Sequence, residues 1–93
     1  MIPPDARPRL APKVRLRLDQ KTNRHMLLYP EKGMQLNATA ADIVQLCTGE
    51  YTVEEIVARL AEKYVSQPRA TIEREVQTFL GALAERALLK TEP

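Results

Sequence analysis

From Val14 the chain alternates apolar and charged residues, Val14-Arg15-Leu16-Arg17-Leu18. A period of two marks a strand with one buried face. Asp19 to Arg24 is a polar loop. His25-Met26-Leu27-Leu28-Tyr29 is apolar on both faces and short, which reads as a more central strand. Pro30-Glu31-Lys32-Gly33 has turn chemistry, with Gly33 free to take a positive φ. Met34-Gln35-Leu36 then forms a very short third strand. Loops of these lengths suit an antiparallel meander, which leaves the third strand at an edge.

After Leu36 the period lengthens to that of a helix. Ala40, Ile43, Val44 and Cys47 fall on one stripe. Asn37 or Thr39 serves as its cap, with Asp42 a weak capping-box partner of Thr39. Gly49 is placed to end this helix as its C′ residue. Thr52 and Glu55 form a stronger capping box for a second helix, whose stripe is Ile56, Val57, Leu60, Ala61 and Tyr64. Pro68 suits the start of a third helix, with Ile72, Val76, Phe79, Leu80 and Leu83 on one stripe and Gly81 interrupting it. Leu88-Leu89 closes the core. The order is β-β-β-α-α-α. It predicts an α+β fold, winged-helix-like, with a three-stranded antiparallel sheet followed by three helices. Pro3, Pro4, Pro8 and Pro12 deny backbone donors, so residues 1–12 read as a flexible Pro-rich arm and 13–90 as a single domain.

Composition narrows the chemistry. A chain of 93 residues is one domain with a small core. Its one Cys and one His supply neither an internal disulfide nor the ligand set of a zinc site. No apolar run spans a membrane, and the first residues lack the apolar core of a signal peptide, which leads us to expect a cytoplasmic protein. Cys47 lies on an apolar stripe with no cation nearby, as an inert structural thiol does. His25 lacks an acidic partner. Glu54 with Glu55, and Glu73 with Glu75, are poorly placed for acid–base work. The three glycines are isolated, so no phosphate loop exists. These absences argue against an enzyme and for a binding protein without a cofactor.

The net charge of +2 hides an asymmetry. Residues 1–24 hold seven basic and two acidic residues, and residues 25–93 seven basic and ten acidic, so +5 faces −3. The basic front suits an anionic partner. Three binding readings follow. A helix-turn-helix would read nucleic acid through Arg69, Arg74 and Arg86, but Glu73, Glu75 and Glu85 dilute them. The short connector near Asn37–Thr39 would permit a domain-swapped dimer, so monomer and swapped dimer both stand. The edge strand Met34-Gln35-Leu36 would pair with an added peptide strand, with the third helix as the other wall.

An ordered set of segments favours the last reading. Arg15-Leu16-Arg17-Leu18-Asp19, Leu27-Leu28-Tyr29-Pro30-Glu31, Leu36 to Ile43, Leu46-Cys47-Thr48-Gly49, Thr52 to Val57, Tyr64, Phe79-Leu80 and Leu88-Leu89 follow one another at family spacing. Over residues 8–90 the chain resembles the pyrroloquinoline quinone biosynthesis protein D family, peptide chaperones built on the RiPP recognition element. It departs at Thr48, where the family commonly has Asp, and at Ala87, where it commonly has Gly, so the turn there is expected to change. The resemblance implies a peptide-binding chaperone, not an enzyme. Its partners would be the precursor peptide of pyrroloquinoline quinone and the radical S-adenosylmethionine enzyme of the same pathway, with no nucleic acid and no membrane. It implies that the peptide adds beside Met34, Gln35 and Leu36, against a wall drawn from Ile72, Glu75, Val76 and Phe79.

Overall fold

Alternation and helical stripes become two sheets and three helices in the computed structural model, which describes residues 1–30 and 32–92. The elements are β1 (Arg7–Leu10), β2 (Arg15–Asp19), β3 (Arg24–Tyr29), β4 (Lys32–Leu36), α1 (Ala38–Gln45), α2 (Val53–Lys63), α3 (Arg69–Glu85) and β5 (Leu89–Glu92). The expected meander is the antiparallel sheet β2-β3-β4, with β4 at one edge. Leu16, Leu27 and Met34 stand in one cross-strand row on its inner face. They pack on a core that includes Ile43 and Val44 of α1, Ile56 and Leu60 of α2, and Val76 and Leu80 of α3. No helix among the described residues is long and apolar enough to cross a membrane.

The strand β4 is longer than the sequence reading. Lys32 and Gly33 belong to it rather than to the turn, and Gly33 does not use a positive φ. Its missing Cβ makes room instead: an ideal Cβ would sit 3.2 Å from Leu28 Cδ2 and 3.5 Å from Met26 Cε. Glu31, the other expected turn residue, lies outside the described residues.

The Pro-rich segment is a structural element, not a loose arm. Arg7–Leu10 pairs antiparallel with Leu89–Glu92, and Ala6 is buried. The prolines fit because a strand residue sends its N–H to one side only. Pro8 O accepts from Gly49 N and Leu10 N donates to Cys47 O, so both residues face the segment after α1. Pro8 therefore lacks its donor on the side that β5 does not use. The carbonyls of Pro4 and Ala6 accept from Glu54 N and Val53 N, two first-turn donors of α2 that would otherwise be orphaned. Further back, Ile2 N donates to Gln77 Oε1 at 3.0 Å and Gln77 Nε2 donates to Ile2 O at 2.7 Å. The side-chain amide holds the segment on α3 as a neighbouring strand would.

Helix ends refine the reading further. Asn37, not Thr39, caps α1, its Oδ1 accepting from Ala40 N at 2.8 Å. Asp42 is released from capping and ties α1 to the end of α2, accepting from Tyr64 Oη and Lys63 Nζ. That hydrogen bond favours the neutral phenol and holds the Tyr64 pKa above its usual value. Thr52 and Glu55 make the expected capping box. The helix α1 stops at Gln45, before Gly49, whose φ of +85° serves the segment bridged to β1. In that segment Thr48 Oγ1 accepts from Glu50 N. Ala87 takes φ 59°, and Leu88 N donates to Leu83 O, closing a Schellman-type end for α3.

Gly81 and Ala87 are thus the reverse of what their backbones favour. A Cβ at Gly81 would meet nothing within 4 Å. Gly81→Ala is expected to add about 0.5–1 kcal/mol. Ala87→Gly relieves a left-handed alanine and is expected to add a similar amount, about 1 kcal/mol, after the glycine's unfolded-state entropy is subtracted. The two sites are distinct enough to add, so calorimetry of the double variant should show a midpoint raised by roughly 6–15 °C for a domain of this size.

Candidate functional site

The strand β4, like β2 on the other side, is an edge of its sheet and leaves polar backbone groups without a strand partner. Only two residues separate Tyr29 from Lys32, which face each other in the β3–β4 register. A two-residue hairpin closes on a hydrogen-bonded pair, and such pairs alternate along an antiparallel ladder. Leu27–Met34 and His25–Leu36 are then bonded pairs as well, and Gly33 and Gln35 turn their N–H and C=O groups outward. Neither has a strand to meet there, because β4 ends the sheet. Both residues are exposed, Met34 is half-buried and Leu36 is buried.

At its end β4 runs through Asn37 into α1, and a cleft of about 530 Å³ opens there between α1 and α3. Thr39, Ala40 and Ile43 line one side, and Arg74, Glu75, Thr78, Phe79 and Ala82 the other. Of the wall residues suggested by sequence, Glu75 and Phe79 line this cleft. Ile72 and Val76 do not: they are 2% and 0% exposed and fill the core. Leu36, at 5%, points inward too, and its N–H and C=O face His25 of β3, so neither its side chain nor its backbone is open at the edge. The reason is helical geometry, which turns Ile72, Val76, Leu80 and Leu83 to the core and Glu75, Phe79 and Ala82 one position around. Arg74, Thr78, Asn37 and Thr39 were not singled out as wall residues. For Arg74 and Thr78 the only signal is their i, i+4 spacing with Ala82 beside the core stripe, and Asn37 and Thr39 are legible as cap candidates alone.

Among the described residues no group of three or more His, Cys, Asp or Glu side chains is placed to hold a metal. Cys47 is buried, its Sγ donating to Ile43 O at 3.2 Å. Burial pushes its thiol up from the ordinary 9.0 to about 12. Iodoacetamide at pH 8 is therefore expected to leave Cys47 unmodified in the folded protein and to alkylate it fully in denaturant. Mass spectrometry of both samples checks this. The shift also makes folding stability fall as pH rises from the unfolded thiol's range toward about 12, because only the unfolded chain ionises there.

The edge and cleft lie within the part of the chain that matches a known family. A family model described as coenzyme PQQ synthesis protein D covers residues 24–89, which run from β3 into β5. The chain belongs to the PqqD family. The PqqA binding protein of Rhodopseudomonas palustris strain BisB5 is 36% identical over 84 residues, 90% of this chain and 81% of that protein. The PqqA binding protein of Methylococcus capsulatus is 38% identical over 63 residues, 68% of each. A bifunctional coenzyme PQQ synthesis protein C/D of Methylorubrum extorquens is 37% identical over 89% of this chain, which spans 22% of that longer protein. Two solved structures share the fold. The solution structure of the PqqD part of Methylobacterium extorquens PqqCD, a RiPP recognition element, superposes with TM-score 0.77 at 36% identity, covering 92% of this chain and 89% of that one. TbiB1 in complex with the TbiA(beta) leader peptide superposes with TM-score 0.74 at 28% identity, covering 88% and 94%. The PqqD fold here is the α+β arrangement read from sequence, with the β1–β5 pair added.

Proposed function

We propose that this PqqD-family chain is a chaperone for the ribosomally made precursor peptide of pyrroloquinoline quinone, and that it presents the peptide to a radical S-adenosylmethionine enzyme. The observation that carries the reading is the unpaired outward edge of β4, Gly33 and Gln35, running into the cleft beside Phe79. Backbone pairing supplies affinity, and the cleft selects side chains. A relative named PqqA binding protein and a neighbour held with a leader peptide support the peptide class. The peptide is disordered before it binds, so ordering it offsets part of the gain and moderates affinity. Holding it beside the enzyme raises its effective concentration at the reacting site. No bond chemistry is assigned to the chaperone.

Titration of isotope-labelled protein with synthetic precursor peptide tests this. Amide shifts are expected at Gly33, Gln35 and Asn37 and along Arg74–Ala82. Shifts confined to the β1–β5 sheet, or no shifts at all, would overturn it.

A further inference from the structure

The sheet β2-β3-β4 has a second face, and no helix lies on it. The residues that point there form two rows across three strands, Arg15–Leu28–Gly33 and Arg17–Met26–Gln35, with the pair Asp19–Arg24 beyond them. Arg15 and Arg17 are exposed, and among the described residues neither guanidinium group has an ion-pair or hydrogen-bond partner. Met26 and Leu28 are half-buried yet stand apart from the core cluster and from the apolar residues packed on it. Beside them a shallow cleft of about 530 Å³ is lined by Arg17, Asp19, Lys21, Met26 and Leu28. Because Gly33 has no side chain, Leu28 and Met26 lean toward the free edge. Apolar surface therefore reaches the line along which a peptide strand would add.

We infer that this outer face docks the enzyme that modifies the bound peptide, through an acidic patch on that enzyme with an apolar side chain at its centre. The inference rests on the peptide-presentation reading above. Unpaired guanidinium groups flanking Met and Leu suit carboxylates by bidentate pairing, and Arg and Met are residue types enriched at protein interfaces. Continuity carries the rest of the argument. An added strand becomes the fourth member of both rows, so its outward side chains lie in one plane with Met26 and Leu28. Three strands of five or six residues offer less area than the roughly 800 Å² per partner of a stable interface. The peptide completes the surface, and the enzyme then grips the loaded chaperone in preference to the empty one. Nucleic acid fits less well, because residues 25–93 carry a net −3.

The test uses the full chain, synthetic precursor peptide and the purified radical enzyme of the pathway. The double variant Arg15→Glu with Arg17→Glu is expected to weaken enzyme binding about tenfold or more, with peptide affinity within about twofold of wild type. Wild-type binding to the enzyme should be tighter with peptide loaded and should weaken as salt rises. Unchanged enzyme affinity in the double variant would overturn the inference, and so would retention of wild type on duplex DNA that the variant loses while its enzyme affinity stays. Should the variant not fold, methyl signals of Met26 and Leu28 in the wild type decide: broadening on enzyme addition supports the face, and unchanged signals sink it. Failure of wild type to bind peptide would instead remove the underlying chaperone reading, which is a separate readout.

Discussion

Gln35→Pro is expected to weaken precursor-peptide binding on the order of 50-fold, while the thermal midpoint stays within about 5 °C of wild type. The reasoning starts from the ladder. Gln35 pairs with Met26 at a non-bonded position, so its N–H points away from β3. Proline removes that donor and nothing that β3 needs, which is why an edge strand tolerates it. The bound peptide, however, loses one hydrogen bond worth about 1 kcal/mol and keeps an unsatisfied carbonyl that costs about 1–3 kcal/mol more. Gln35→Ala is the control. The side chain is exposed and the N–H remains, so affinity should hold. Isothermal calorimetry of the three proteins separates backbone pairing from side-chain contact. Equal affinities for all three would end the strand-addition model.

Ile72→Ala and Phe79→Ala should fail in opposite ways. Ile72 is 2% exposed among Val76, Leu80 and the α2 stripe, so truncation leaves a cavity. A loss of about 2–5 kcal/mol is expected, and in a domain of this size that lowers the midpoint by roughly 8–40 °C. The protein that remains folded should bind peptide normally. Phe79 is half-buried on the cleft wall, so its truncation removes contact area offered to the peptide. There the expected loss is about tenfold or more in affinity with a smaller change in stability. Thermal melts and peptide titrations on both variants check the pair. Equal affinity losses would return Ile72 to the groove.

The two residues also show what the sequence could and could not convey. Both lie on the stripe spaced four, three, one and three, and periodicity assigns that stripe to burial as a whole. It does not say which margin meets another element and which meets a cleft, because that depends on where α1 crosses α3. The edge was legible, since alternation and loop length placed Met34, Gln35 and Leu36 last in a meander. Its outward residues required the register, which set Gly33 beside Gln35 and moved Leu36 into the core. The β1–β5 pair was missed for a chemical reason. Prolines were counted as lost donors along the whole segment, whereas in a strand only alternate donors face a given neighbour. Nothing local in Arg7–Leu10 points to Leu89–Glu92, and a contact between distant segments leaves no period to read.

That distant contact bears on the order in which the molecule forms. β1 is made long before the strand that completes it, and closing so large a loop is entropically slow. The meander and helices, with their nearer contacts, are expected to assemble first, and the two-stranded sheet to latch afterward. Until then β1 is an exposed edge, the kind of segment that recruits strands from other chains. Pro8's missing donor lies on the opposite side, toward Gly49, so the open edge is guarded by charge instead, the flanking Arg7 and Arg9 repelling a second copy. The basic residues on either side of Pro8 thus help to keep this edge unpaired until β5 arrives.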